Sequence, residues 1–161
     1  MIFSTSKLGK AYLFDERSAR NVFSYKKNEA NKHCTTVIPS DSGCPFTGHI
    51  ASLQPNKAII DMWSWKKEES VQKWILSEKV SCIAVSLCGT WIAAGGAESG
   101  RVLLWNTNSG SLIAILEMGW KQIMIIKFTR HYMVVGGADG CISTYSIADV
   151  VKEKENSKPL Y

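Results

Sequence analysis

The feature that most constrains this chain is an internal repeat. Residues 80–106 and 123–146 follow one plan: a short apolar strand closing on Ser86 or Thr129, a turn, and a second strand opening at Trp91 or Tyr132. Each copy then reaches Gly-Gly-Ala-acid (Gly95 to Glu98, Gly136 to Asp139), turns through Gly100 or Gly140, and runs a third strand into Trp105 or Tyr145. Those two aromatics lie 40 residues apart, and Trp63 precedes Trp105 by 42. A period near 40 residues with four short strands per unit is the length of one propeller blade. A weaker copy opens the chain, with Ile2 to Ser6 and Ala11 to Asp15 as strands and Phe14 in the tryptophan place. Further strands follow each copy at 21–25, 71–75 and 111–116, whereas the last copy ends in Ile147 to Lys152 and a polar tail with no clear fourth strand.

The turns carry this parse physically. Ser99-Gly100 and Asp139-Gly140 supply the positive φ that tight hairpins need, and Asn108-Ser109-Gly110 does the same. Val102 and Leu104 alternate with Leu103 and Trp105, so the third strand is apolar on both faces and belongs to a sheet held between two neighbours. A single blade cannot bury both faces, so blades must stack. The fold class expected is therefore all-β, a propeller of about four blades at 1–27, 34–76, 79–117 and 120–151, with a polar tail at 152–161. Ala148 to Ser157 is the one helix-compatible stretch, either a short helix or a frayed tail. Four blades is the low end for a closed propeller. The expectation is a partial or open arc, about half a domain, whose first and last blades leave apolar faces uncovered and which needs a partner or self-association for stability.

Composition is that of a globular chain, with 45% hydrophobic and 20% charged residues and a net charge of +5. The opening segment meets Lys7 before an apolar run forms, so no secretory signal is read and an intracellular setting is expected. The uncharged run Val80 to Ala97 just reaches spanning length, but its glycines and serines divide it into two strands joined at Cys88-Gly89-Thr90. No membrane association is expected. The five cysteines are never spaced C-x-x-C, which signals neither a disulfide framework nor a cysteine-rich zinc site.

The chemistry-bearing motifs are weak. Gly95 to Gly100 lacks the Lys-Ser/Thr of a phosphate loop and recurs once per blade, which makes it a hairpin device. His33, Cys34, Cys44 and His49 are not spaced as zinc ligands and read as a loop between blades. His33, His49 and His131 stand in no nucleophile–base pattern, and His131 reads as a solvent-exposed turn residue. No enzyme activity, cofactor or metal is expected. Basic residues cluster only at Lys26-Lys27, Lys66-Lys67 and Lys152/Lys154/Lys158, which leaves direct RNA contact open. Of six tryptophans, Trp63 and Trp105 are read as core, Trp65 lies two residues beyond Trp63, and Trp91 opens a second strand. Trp74 and Trp120 are either inter-blade packing or exposed anchors. With Lys121 and Arg130 they are the candidate partner contacts.

The residues that most narrow the reading are Ser52 to Lys57 with Trp63, Lys79 to Cys82, the run Glu98 to Ile113, and Gly136-Gly137 followed by Asp139. Through these, residues 51–151 resemble the WD repeat-containing protein eighteen family, whose fungal counterpart processes the internal transcribed spacer of ribosomal RNA. Where that family carries His-Tyr entering the fourth blade this chain has Gly119-Trp120, and Tyr145 replaces the blade's tryptophan. The bracing hydrogen-bond network of a WD blade is then incomplete, with Asp139 its surviving member. The resemblance implies a noncatalytic scaffold in nuclear maturation of the large ribosomal subunit and pre-rRNA processing. It also implies protein subunits of a pre-ribosomal processing complex as partners, and an AAA-type remodelling ATPase reached indirectly through the pre-ribosomal particle. The rivals are a WD-repeat adaptor of an unrelated complex and a direct RNA-binding module.

Overall fold

A computed structural model describes residues 2–5, 10–26, 34–38, 49–54, 59–64 and 69–156, with side chains for part of these. The readings of Lys27, Lys66-Lys67, Trp65, the Trp63 side chain, His33, Cys44 and the tail beyond Asn156 lie outside the described residues.

Among the described residues, fourteen strands form four antiparallel sheets. The first holds β1 (Ile2–Thr5), β2 (Lys10–Asp15) and β3 (Arg20–Lys26). The second holds β4 (Cys34–Ile38), β5 (His49–Gln54), β6 (Ile59–Ser64) and β7 (Glu69–Ile75). The third holds β8 (Val80–Val85), β9 (Trp91–Gly96), β10 (Arg101–Asn106) and β11 (Leu112–Glu117). The last holds β12 (Ile123–Phe128), β13 (Tyr132–Gly137) and β14 (Ile142–Ser146), followed at once by α1 (Ile147–Asn156). Strand β1 lies beside β4, β4 beside β8, and β8 beside β12, so consecutive sheets meet along their inner strands. This is a partial all-β propeller.

The repeat is written into the register as well as the sequence. Pairing slips between Leu13 and Phe14 in β2, between Met62 and Trp63 in β6, and between Leu104 and Trp105 in β10, each time just before the repeated aromatic. A second slip recurs between Val80 and Cys82 and between Ile123 and Ile125 on the inner strands. Bulges bend a strand and strengthen its twist, and here they fall at the same place in successive sheets. Phe14 therefore does hold the structural position of the tryptophans.

Strand β10 is buried on both faces for the expected reason. Leu103 and Trp105 join the cluster shared with the second sheet, containing Ile60, Trp74 and Ile92. Val102 and Leu104 join the cluster shared with the last sheet, containing Ile123, Ile126 and Met133. Residues 80–97 form β8, a turn and β9, and no helix among the described residues is long and apolar enough to cross a membrane.

Three local readings change. Cys34 and His49 do not lie in an inter-blade loop: they open β4 and β5, where Ile38 pairs with His49 and Cys34 with Leu53. The β-branched run Thr35-Thr36-Val37-Ile38 supplies the strand propensity here. Asp139 braces no neighbouring sheet. It is exposed, and its Oδ1 accepts the Cys141 N–H at 3.2 Å within its own turn. Finally, the missing fourth strand is as read among the described residues, but a helix and not a polar tail follows β14. Ser146 Oγ accepts the Asp149 N–H at 3.4 Å, so an N-cap with an acid in the first turn starts α1. The helix runs from the last blade into the stretch expected as tail, and its Val150 is buried in the cluster between the third and last sheets.

The paired glycines act through space rather than φ. A Cβ on Gly95 would stand 2.5 Å from Ile123 Cγ2, and one on Gly137 would stand 2.7 Å from Trp120 Cε3. Among the described residues positive φ falls outside the strands and the helix, as at Gly100 (64°) and Gly140 (82°).

Candidate functional site

The four candidate contacts separate once placed. Trp74 is 4% exposed and forms no outward anchor. Its ring centre lies 6.4 Å from that of Trp105 at a 45° tilt, and its Nε1–H donates to Gly110 O at 3.0 Å. A large ring with its one polar atom satisfied across the gap is a brace between the second and third sheets. Trp120 is half-buried against the other cluster, its backbone in close contact with Gly100 and its ring over Gly137, so it closes the seam between the third and last sheets. Lys121 and Arg130 are exposed. Lys121 follows Trp120 in the connection between those sheets, whereas Arg130 sits in the turn between β12 and β13.

Around Arg130 the structure forms a groove of about 870 Å³. It is built from equivalent turns of two successive sheets, Ser86 to Cys88 after β8 and Thr129 to His131 after β12, closed on one side by the start of α1. The two turns are held alike. Ser86 Oγ accepts the Trp91 N–H at 3.0 Å, and Thr129 Oγ1 accepts the Tyr132 N–H at 3.0 Å. Backbone bonds of 2.8 Å run from Ser86 N to Trp91 O and from Thr129 N to Tyr132 O. Thr107 Oγ1 donates to Gly89 O at 2.5 Å and Thr107 N to Thr90 O at 2.8 Å, tying the first turn to the end of β10. The second turn is tied to the helix start, where Ile147 N donates to His131 O at 3.1 Å.

The groove walls are apolar, from Leu87, Trp91, Tyr132, Ile147 and Val151. Its charged lining is basic, Arg130 and Lys152, and His131 lies beside Arg130. Cys88 also lines it, with Sγ 3.3 Å from Ser86 Oγ. Burial raises the Cys88 thiol, but hydrogen bonds from the Ser86 and Thr90 side chains and from the Thr90 backbone outweigh it, so the pKa falls below the ordinary thiol value. Arg130 alone of the four candidates lies here. Leu87 and Tyr132 are not among the candidate contacts and Lys152 enters only as part of a basic cluster, although aligning Ser86-Leu87-Cys88 with Thr129-Arg130-His131 places both turns at one end of adjacent sheets.

Asp149 in the first turn of α1 is adjacent in sequence to a lining residue but does not itself line the groove. Glu98 and Asp139 stand in the turns at the opposite strand ends. Lys79 Nζ lies 3.9 Å from Glu98 Oε1, and Arg101 Nε lies 3.0 Å from Glu117 Oε1; both pairs are exposed and contribute little. Among the described residues no group of three or more His, Cys, Asp and Glu is placed to hold a metal ion.

No family model matches the chain. Individual relatives do. It is 28% identical over 160 residues to the pre-rRNA-processing protein IPI3 of Yarrowia lipolytica, an alignment covering 99% of this chain and 36% of that protein. It is 31% identical over 133 residues to the pre-rRNA-processing protein crb3/ipi3 of Schizosaccharomyces pombe, covering 76% of this chain and 30% of that protein. To WD repeat-containing protein 18 of Danio rerio it is 24% identical over 159 residues, covering 97% of this chain and 35% of that protein. The chain thus spans about a third of the length of these curated relatives. Recurring bulges, aromatic-bearing third strands and this set of relatives identify the chain as a WD-repeat protein similar to WD repeat-containing protein 18 and the fungal IPI3/Crb3 proteins.

Proposed function

We propose that the chain is a noncatalytic WD-repeat scaffold in maturation of the large ribosomal subunit and pre-rRNA processing. It works by holding turns and sheet ends at fixed positions for protein neighbours to read. The observation that carries this reading is the alignment of nearly the whole chain with a protein named for pre-rRNA processing. On this reading its partners are protein subunits of a pre-ribosomal processing complex, its setting is the nucleus, and its relation to an AAA-type remodelling ATPase is indirect, through the particle. The geometry suits such a role, since the inter-sheet seams are braced by Trp74, Trp105 and Trp120 while two adjoining turns remain open around a groove.

The test is affinity purification of the tagged chain from nuclear extract. Recovery of large-subunit precursors is expected; a stable complex without ribosomal material would place the chain in an unrelated assembly and overturn the reading. Titration against naked ribosomal RNA at several salt concentrations separates the remaining rival. A scaffold binds RNA weakly, whereas an RNA-binding module shows strong, steeply salt-dependent binding.

A further inference from the structure

Nothing in the packing of the sheets requires the groove beside Arg130 to stay open and apolar. Leu87 is 63% exposed and Tyr132 49% exposed on its walls, although large apolar side chains at turn ends gain nothing from solvent. Arg130 and Lys152 form no ion pair among the described residues, unlike Lys79 and Arg101 at the opposite end of the sheets. None of the groove's lining residues is acidic.

Apolar walls bordered by bases that form no ion pair among the described residues select a ligand with the reverse distribution: aliphatic or aromatic side chains flanked by carboxylates. We infer that the groove formed by the β8–β9 turn, the β12–β13 turn and the start of α1 docks an acidic, leucine-rich peptide segment of a partner protein. The volume takes a few side chains, enough for an anchor residue and its neighbours. The apolar anchor lies against Leu87, Trp91 and Tyr132, and Arg130 and Lys152 meet the flanking carboxylates. Nucleic acid fits less well, because two cations neutralise few phosphates while most of the lining is apolar. The inference rests on the scaffold reading and supplies it with a specific contact.

The probe is a fluorescein-labelled peptide of alternating glutamate and leucine, titrated into the full chain by anisotropy, beside its Glu→Lys and Leu→Ser counterparts and a labelled oligouridine. The acidic leucine peptide is expected to bind on the order of tenfold or more tightly than either counterpart and than the oligouridine. The double variant Arg130→Glu/Lys152→Glu, and separately Leu87→Asp, should reduce that binding by about tenfold while leaving the urea midpoint near that of the parent chain. Equal affinity for the acidic and basic peptides, or no response to the double variant, overturns the inference. Preferential binding of oligouridine makes the groove a phosphate surface instead. Concentration-dependent self-association abolished by Leu87→Asp makes its occupant a second copy. Failure of the peptide titration while the chain still recovers large-subunit precursors refutes the groove alone; failure to recover precursors while the peptide binds refutes the scaffold reading alone.

Discussion

The third and last sheets are copies of one plan in different surroundings, and the contrast is sharpest between β10 and β14. Aligned on Trp105 and Tyr145, Val102 corresponds to Ile142, Leu103 to Ser143 and Leu104 to Thr144. Val102 is fully buried because the last sheet covers it; Ile142, at the same position of the repeat, is 75% exposed. Ile125, opposite Gly136 and in line with Ile142, is 51% exposed on the same outward face. Burial in this architecture is therefore supplied by the neighbouring sheet, and a side chain's own hydrophobicity does not secure it. The inward half of β14 remains apolar through Tyr145, which packs on the shared cluster and whose hydroxyl donates to Met118 Sδ at 3.2 Å.

That contrast can be broken by paired substitutions. The largest effect is expected for Leu104→Ala, which removes a side chain 1% exposed and leaves a cavity between the third and last sheets. It should cost about 2–5 kcal/mol in urea denaturation, against about 0.5 kcal/mol or less for Thr144→Ala at the equivalent exposed site. Similar losses at both sites would mean that the outward face of the last sheet is as well covered as β10.

Next come the glycines. Gly95→Ala places a methyl 2.5 Å from Ile123 Cγ2, 2.7 Å from its Cβ and 2.8 Å from Cys82 Sγ, where β9 meets the inner strand of the last sheet. Overpacking there should cost about 1–3 kcal/mol. Gly136→Ala meets only the end of the Ile125 side chain, at 2.9 Å, which can turn away toward the open face. Its thermal midpoint should fall clearly less than that of Gly95→Ala; the reverse order would refute close approach as the reason for the paired glycines.

The smallest difference is expected at the turns. Ser86 is 2% exposed and Thr129 is exposed, yet each accepts an N–H from the residue that opens the next strand. Ser86→Ala removes the acceptor for a part-buried donor, a loss of about 1–3 kcal/mol, while water replaces the Thr129 hydroxyl and Thr129→Ala should cost about 1 kcal/mol or less. Ser86→Ala also removes a hydrogen bond that stabilises the Cys88 thiolate, so iodoacetamide labelling of Cys88 should shift to higher pH. An unchanged labelling profile would show that Ser86 does not set that thiol.

The repeat was legible because each unit repeats its own local chemistry: alternation along β10, positive φ at Gly100 and Gly140, and an aromatic before the same turn. Helix α1 was less so, since Ala148 to Ser157 reads as either a short helix or a frayed tail, and the Ser146 cap with the packing of Val150 on the neighbouring cluster decides between them. Asp139 shows the opposite failure, where a residue matching a bracing pattern serves only its own turn. Trp74 could be narrowed to inter-blade packing or an exposed anchor, and no local pattern could choose, because its partners Trp105 and Gly110 lie 31 and 36 residues away.

By itself, then, the sequence determined the strands of the repeat other than β4, the turns, the 40-residue period and the two-faced character of β10, all of which depend on residues close along the chain. Only the tertiary structure decided that Trp74 braces a seam, that Ile142 meets solvent where Val102 does not, and that turns 43 residues apart share one groove with α1. Those properties belong to pairs of sheets, and whether a face is covered depends on which neighbour packs against it.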